Sequence, residues 1–311
     1  GGARISAQDG CTIRMEPSGS IVVLNGTGEQ GQGTETVFAQ IAADAVGVNM
    51  ANVRVVGGDT DATPYGGGTW ASRAAGVGGE ATLQAGLALR ENILKLAAVV
   101  LETKPELLDI RNGSVFERLT GKDRTTLAEL GRIAYFRPDT LGAFQAELCV
   151  TRHFVPKDYP FTFTNGSIAC HLEVDVETGF IKLLKFWVVE DCGTILNEQL
   201  VDEQIRGALV QGIGPTLYEQ CLYDERGQML NGNMADYIVP FPAEMPDIII
   251  GHVSTPTKSS QLGAKGAGEA GTAGAPAAIL NALNDALTPF NVELFDMPFT
   301  PEKVLRALGR I

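Results

Sequence analysis

Three times along this chain an alternating apolar segment runs into a glycine-rich polar turn and then into a helical pattern, and that recurrence restricts the fold more than any other feature. Ser20 to Leu24 leads through Gly26 to Gly33 into a helix over Thr34 to Val46, with Val37, Ile41, Ala45 and Val46 on one face. Thr34 or Thr36 is suited to cap that helix and Gly47 to end it. Phe180 to Val189 leads through Glu190-Asp191-Cys192-Gly193 into a helix from about Glu198 to Tyr218. Ile248 to Val253 is followed by the loop Gly263 to Gly271 and a helix over Ala273 to Leu287. Glycine at such turns admits close approach of a ligand to the backbone.

The segments between these units are strands and helices of the same kind. Cys11 to Glu16 and Ser20 to Leu24 read as a hairpin about Pro17-Ser18-Gly19, Val53 to Val56 as a short strand, and Ala81 to Leu101 as a long helix. The connection Gly57 to Gly79 is longer than a compact domain normally tolerates without a use for it. A hairpin is expected about Arg111-Asn112-Gly113, a short helix over Leu127 to Ala134, and paired strands over Ala169 to Val176 and Phe180 to Val189. Pro156, Pro160 and the Phe-Thr alternation near Phe161 mark a boundary. The expected architecture is α+β: two lobes of mixed and antiparallel strands and helices, residues 1–155 and 156–311, joined by glycine-rich cofactor-binding loops.

Composition excludes several classes of function. With 44% hydrophobic residues over 311 positions, the chain can bury a substantial core in either lobe. Its formal net charge of -13 comes with no basic cluster to neutralise a nucleic acid or an anionic membrane. The cysteines Cys11, Cys149, Cys170, Cys192 and Cys221 are widely separated, which suggests neither a disulfide framework nor a Cys-x-x-Cys metal site, and a reducing cytoplasm fits them best. His153, His171 and His252 form no metal-binding spacing, so no metal is expected on protein side chains alone. No apolar run approaches the roughly 20 residues that span a bilayer, and the start lacks a signal-peptide pattern. Gly1-Gly2 opens the chain without methionine, as a processed, trimmed or fragmentary subunit would.

Four loops carry candidate chemistry. In Gly263 to Gly271, Glu269 is the one strong base among glycines and alanines, as an active-site loop requires, although a mobile surface hinge has the same composition. Gly26-Thr27-Gly28-Glu29-Gln30-Gly31 satisfies the dinucleotide fingerprint, with Asp59 as the ribose acid. Against it, Asp59 lies beyond the usual distance of about 20 residues and no further βα units follow. In the same loop Gln32 offers a donor and an acceptor beside a helix N-terminus. Gly66 to Arg73 adds hydroxyls and one guanidinium, either an anion clamp or a solvated helix-start residue. Gln204 and Gln211 lie on the helix after Asp191-Cys192. A glutamine buried there needs a partner from a ligand or from a neighbouring loop, and Cys192 reads as a small buried residue rather than a nucleophile.

Taken in order, Gly31-Gln32-Gly33, Gly68 to Arg73, Asp191-Cys192, Gln211-Gly212-Ile213-Gly214 and Gly263 to Gly271 closely resemble the molybdenum hydroxylase family, the relatives of xanthine dehydrogenase and aldehyde oxidoreductase. The resemblance is to the second molybdopterin-binding portion of the large subunit and covers almost the whole chain. It implies a hydroxylase of aldehyde or N-heteroaromatic carbon using water-derived oxygen, with Glu269 as general base. It further implies that Gly31, Gln32, Gly33, Thr34, Ala71, Ser72, Arg73, Asp191, Cys192, Gln204, Gln211, Gly266 and Gly268 hold molybdopterin, in the cytosine dinucleotide form for a bacterial enzyme. Molybdenum is then held by the pterin dithiolene. The chain lacks the first molybdopterin portion, the [2Fe-2S] modules and the FAD domain, so partner subunits are implied. Carbon monoxide dehydrogenases share the pattern. An NAD(P)-binding dehydrogenase using Gly26 to Gly31 and a non-catalytic scaffold subunit are the rival readings.

Overall fold

The computed structural model describes residues 8–157 and 162–311. Pro160 and Phe161, and the opening Gly1-Gly2, lie outside the described residues. The chain forms two compact units, Gly1–Phe163 with Pro256–Lys265, and Thr164–Thr255 with Gly266–Ile311. Where the sequence suggests one division, between residues 155 and 156, the chain returns to the first unit over Pro256–Lys265.

In the first unit β1 (Asp9–Met15) and β2 (Ile21–Asn25) form the expected hairpin, α1 (Thr34–Val46) crosses over, and β3 (Val53–Gly57) pairs parallel to β2. With β7 (Cys149–Phe154) antiparallel to β1, the sheet order is β3-β2-β1-β7. The long helix α2 (Gly79–Val100) packs on this sheet and on α1. Its buried residues Ala81, Ala85, Leu89, Ile93 and Ala97 recur every fourth position, one face of a 3.6-residue helix, and meet Cys11, Ile13, Met15, Ile21 and Val23 in one core. The hairpin about Asn112 is the pair β4 (Leu108–Arg111) and β5 (Ser114–Glu117), extended by β6 (Asp123–Thr126) to a three-stranded sheet beside α3 (Leu127–Phe136).

The expected loop Gly57 to Gly79 is shorter than its composition suggests. Ala74–Gly78 is a π-helical turn that runs straight into α2. Its glycines are there for packing. A Cβ on Gly78 would lie 2.5 Å from Thr27 Oγ1, and one on Gly79 would lie 3.0 Å from Ile41 Cδ1. Further along, Gly26 and Gly66 bring two loops into backbone contact. A Cβ on Gly66 would lie 2.3 Å from the Gly26 carbonyl oxygen.

The second unit is a three-stranded sheet, order β10-β9-β8, in which β8 (Asn165–Val174) is antiparallel and β10 (Asp247–His252) parallel to β9 (Ile181–Asp191). The helices α4 (Glu198–Leu217) and α5 (Ala270–Leu287) pack together, and α5 lies against β8. Both helices carry period-four apolar stripes, Ile205, Leu209, Ile213 and Leu217 on α4 and Ala275, Ile279, Leu283 and Leu287 on α5, closing over Phe186 and Val188. The short helix α6 (Pro301–Ala307) is capped by the Thr300 hydroxyl, which accepts from Lys303 N at 3.4 Å. The sequence reading anticipates neither α6 nor β6 and β7.

One charged group is buried at the edge of this core. Glu190, cross-strand neighbour of Gly166 and His252, is 1% exposed, and neither carboxylate oxygen has a hydrogen-bond partner among the described residues. Burial pushes its carboxyl up to about 7, against a weaker opposing pull from His252, whose Nε2 lies 2.8 Å from Asp202 Oδ1.

Gly66→Ala is expected to lower stability in urea by about 1–3 kcal/mol through overpacking, whereas Gly28→Ala, whose Cβ would meet nothing within 4 Å, leaves the midpoint within about 0.5 kcal/mol. For Glu190, the folded chain retains a proton between about pH 4.5 and 7 that the unfolded chain has lost, so stability declines as pH rises through that window. Glu190→Gln should flatten that decline and unfold at higher urea than the wild type at pH 8, by roughly 1–3 kcal/mol. Parallel wild-type and variant profiles between pH 5 and 8 would rule the assignment out.

Candidate functional site

The apolar stripe of α4 fixes what its opposite side presents. With Ile205, Leu209 and Ile213 turned into the core, Gln204, Gly207 and Gln211 fall on another face, one or two helical turns apart. Gln211 is therefore exposed, not buried as its apolar neighbours suggest, and needs no internal partner. The N-terminus of α5 comes alongside because glycines replace side chains at the helix contact. A Cβ on Gly271 would lie 2.9 Å from Leu209 N, and one on Gly212 would lie 2.8 Å from Ala275 Cβ and 2.9 Å from Thr272 O. Thr272 Oγ1 donates to Ala208 O at 2.9 Å, adding a polar tie between the helices.

A cavity of about 530 Å³ lies at this junction, lined by Gln204, Gly207, Gln211, Gly268, Glu269 and Thr272 among others. Four residues singled out from sequence, Gln204, Gln211, Gly268 and Glu269, thus share one cleft. Glu269 is the N-cap residue of α5, with φ -116 and ψ -6, so the helix begins three residues earlier than its alanine pattern suggests. Its exposed side chain makes no capping bond to that helix. Gly207 was not anticipated as a site residue. A Cβ there would meet no atom within 4 Å, so the wall is left open by sequence choice and not by crowding. The signal was present as the spacing of Gln204, Gly207 and Gln211 on one helical face. Gly266, at the base of the same loop, accepts a hydrogen bond from Thr164 Oγ1.

Asp191 ends β9 and Cys192 begins the turn after it. Asp191, 7% exposed, accepts from Gly193 N at 2.9 Å, from Thr255 N at 3.0 Å and from the Thr255 hydroxyl, and so ties that turn to the segment after β10. Cys192 is buried, as its small apolar reading implies.

The first unit contains the other two loops, fastened to each other. Thr69 Oγ1 donates to Gly28 O at 2.6 Å. The fully buried Asn25 donates to Gly78 O at 3.1 Å and Thr82 Oγ1 at 2.9 Å and accepts from Thr27 N at 2.8 Å. Gln32 uses both its groups inside its own loop: Oε1 accepts from Gln30 N at 2.6 Å and Nε2 donates to Gly28 O at 3.1 Å. The N-cap of α1 is Gly33, in left-handed backbone with φ 80, rather than Thr34 or Thr36. Gly31, with φ 99, also needs the left-handed region.

Arg73 is not a solvated helix-start residue. It is 8% exposed, its Nη2 lies 2.9 Å from Asp9 Oδ2, its Nη1 donates to Gly68 O at 2.8 Å, and its guanidinium stacks over Trp70 at 5.6 Å. Burial raises the Asp9 carboxyl above its ordinary value while Arg73 pulls it down. Ala71 and Ser72, at φ 49 and 52, hold consecutive left-handed conformations that L residues rarely adopt. Such strain clusters at ligand-binding loops. Asp59, the ribose acid of the dinucleotide reading, is exposed and accepts from Asp61 N at 3.0 Å and Ala62 N at 3.2 Å in its own turn. Among the described residues of the first unit there is one βαβ unit, β2-α1-β3, where a dinucleotide domain has several.

Among the described residues, no group of three or more His, Cys, Asp or Glu side chains is arranged to hold a metal ion, and no helix is long and apolar enough to cross a membrane.

Known proteins share this sequence pattern and this fold. The family described as molybdopterin cofactor-binding domain matches residues 2–246. The chain is 38% identical over 307 residues to the nicotine 6-hydroxylase large subunit of Paenarthrobacter nicotinovorans, covering 98% of this chain and 37% of that protein. It is 31% identical to the carbon monoxide dehydrogenase large chain of Hydrogenophaga pseudoflava, covering 96% and 37%. The crystal structure of quinoline 2-oxidoreductase from Pseudomonas putida 86 superposes with a TM-score of 0.89 at 37% identity, over 98% of this chain and 38% of that one. The chain therefore spans a little over a third of the length of these relatives. By sequence and by fold alike, it belongs to the molybdopterin cofactor-binding domain family, the family of the molybdopterin-binding portion of molybdenum hydroxylase large subunits.

Proposed function

We propose that this chain is the molybdopterin-binding, base-carrying portion of a multi-subunit molybdenum hydroxylase that adds water-derived oxygen to an aldehyde or N-heteroaromatic carbon. The observation that carries the reading is the cleft of the second unit, where Gln204, Gln211, Gly268 and Glu269 converge. The donor set fits a pterin. Two carboxamides each present a donor and an acceptor to its amide-like edges, and Gly207, where a Cβ would meet nothing within 4 Å, leaves that wall free for a flat ring system. The bound cofactor supplies a redox metal that takes up two electrons as the carbon is oxidised.

The chain's own residues have three tasks. Gln204 and Gln211 orient the cofactor; Gly266 and Gly268 let the loop approach it; Glu269 takes a proton from the oxygen to be transferred, which needs an exposed, unburied carboxylate such as the one at the α5 N-cap. Asp191 and Cys192 shape the turn after β9, and Gly31, Gln32, Gly33, Thr34, Ala71, Ser72 and Arg73 shape the cofactor-binding loops of the first unit. Its cytosine dinucleotide form, [2Fe-2S] and FAD partner subunits, the first molybdopterin-binding portion and a cytoplasmic setting complete the reading. The names of two relatives carry the N-heteroaromatic compounds nicotine and quinoline, which favours that substrate class over aldehydes.

The test is made on the complex purified from its native host. Molybdenum near one per chain supports the reading, and its absence from an intact complex overturns it. Glu269→Gln should keep molybdenum and pterin content while lowering turnover by about 10²-fold or more; retention of most activity removes Glu269 from the role of base. Gly207→Leu should improve helix propensity by up to about 1 kcal/mol yet lower cofactor content by narrowing the cleft. A fully loaded Gly207→Leu complex would show that the pterin lies elsewhere.

A further inference from the structure

We propose that a further cavity of the second unit, on a different side of α4 from the cleft, is a binding site for a small organic monocarboxylate with an apolar body. The cavity, of about 630 Å³, lies between α4, the start of β10 and the extended segment that leads into β10. Helical spacing keeps it apart from the cleft. Arg206 and Val210, four residues apart, share a face of α4 that is neither the core stripe of Ile205, Leu209 and Ile213 nor the cleft face of Gln204, Gly207 and Gln211. Val210, Ile248 and Ile249 supply apolar wall, and Pro240 and Pro246 close it with backbone that has no N–H to give the sheet edge. Between those prolines Pro242–Glu244 forms a single helical turn, pinned by Phe241 N donating to Glu244 Oε2 at 3.0 Å. β10 is the edge strand of its sheet, so no further strand among the described residues covers this side. A wall stiffened by prolines loses little entropy when a ligand enters.

Two cations give this hollow its selectivity. Lys185, half-buried on β9, has no carboxylate within ion-pair distance among the described residues, and its ammonium lies instead 5.5 Å from the centroid of the Trp187 ring. Asp247, its partner in the β9-β10 register, is exposed and makes no ion pair with it. Arg206 uses only Nη1, on the exposed Glu203 at 2.9 Å, a surface pair that adds little and leaves the rest of the guanidinium unbonded among the described residues. A carboxylate is a group that a guanidinium fork and an ammonium both hold well, and the apolar side chains between them suit a hydrocarbon body. Glu203 and Asp247 limit the positive charge, so a monoanion fits and a phosphate dianion does not. In a chain with a net charge of -13, an unpaired ammonium and a half-used guanidinium facing one hollow are a local exception that favours a small anion.

Equilibrium dialysis of the complex from its native host tests the site, with naphthoate as the probe and uncharged naphthamide, of the same shape, as its control. A ligand of about 13 non-hydrogen atoms should bind with a Kd on the order of 0.1–1 mM, and naphthamide about tenfold more weakly or worse, through loss of the charge-assisted bonds. Lys185→Gln and Arg206→Gln should each weaken naphthoate by about tenfold, while Glu269→Gln, in the cleft, leaves its affinity unchanged. Equal binding of naphthoate and naphthamide, or unchanged affinity in both charge variants, overturns the proposal, as does no binding at about 5 mM. A loss in Glu269→Gln as large as in Arg206→Gln places the probe in the cleft and overturns it too. Val210→Trp keeps both cations and fills the hollow from α4. If neither charge variant assembles, loss of naphthoate binding in Val210→Trp supports the site and retained binding overturns it. Molybdenum content is measured on the same preparation; an empty complex overturns the molybdopterin reading and leaves the binding result to stand by itself.

Discussion

The close contact between α4 and α5 is the constraint on which the candidate site depends. Two helices whose apolar stripes repeat every four residues can pack at several offsets, and glycines decide which one is reached. Gly212 and Gly271 allow backbone to approach backbone where any side chain would collide with Ala275, Thr272 or Leu209. Pro276 has no N–H to give the Thr272 carbonyl, so the oxygen facing Gly212 lacks its ordinary intrahelical partner. At that offset the carboxylate at the head of α5 comes beside the glutamines on the outer face of α4, and the cleft results. The same packing that excludes water from Ile205, Leu209 and Ala275 thereby places the polar groups of the candidate site.

The first unit reaches order in its loops by polar means. Few apolar side chains are available between Gly26 and Gly33 or between Gly66 and Arg73, so the loops are held by Asn25, Asp9, Arg73 and Glu29, each satisfying backbone groups that would otherwise be unpaired. These bonds also hold Ala71 and Ser72 in left-handed backbone, a strain of about 1–3 kcal/mol each. Loops fixed in advance lose less entropy when a ligand binds. Charge is balanced inside the loops at the same time.

Where an apolar stripe was long, the sequence was legible. The helices α1, α2, α4 and α5 and the pairs β1-β2 and β8-β9 follow from period and turn residues, because burial of one face is what forms them. Three elements left no such trace. β6, Asp-Arg-Thr-Thr, has no apolar residue, and β7 buries only two of its six residues, so each exists by pairing with a neighbour. α6 is one short helix, yet Thr300 and Pro301 before it are a capping signal that a closer reading would use. The start of α2 was misplaced because glycines that serve tight packing look like loop glycines in a one-dimensional pattern.

For the site, residue type was visible and partnership was not. Glu269 and Gln211 stand out by residue type, a lone base among small residues and a carboxamide in an apolar helix, whereas Gln204 and Gly268 follow from the family resemblance. Gln32 and Arg73 also stand out by residue type, yet they are engaged with Gly28, Gln30, Asp9 and Gly68. Glu29 and Gly207 drew no attention although one anchors a loop and the other opens a wall. The local sequence determined the elements with a long apolar stripe, the glycine turns and the stock of polar groups, since these depend on neighbours along the chain. Which groups meet and which charges cancel was decided by tertiary packing alone, because hydrogen bonds and ion pairs act over a few ångströms in space, whatever the distance along the chain.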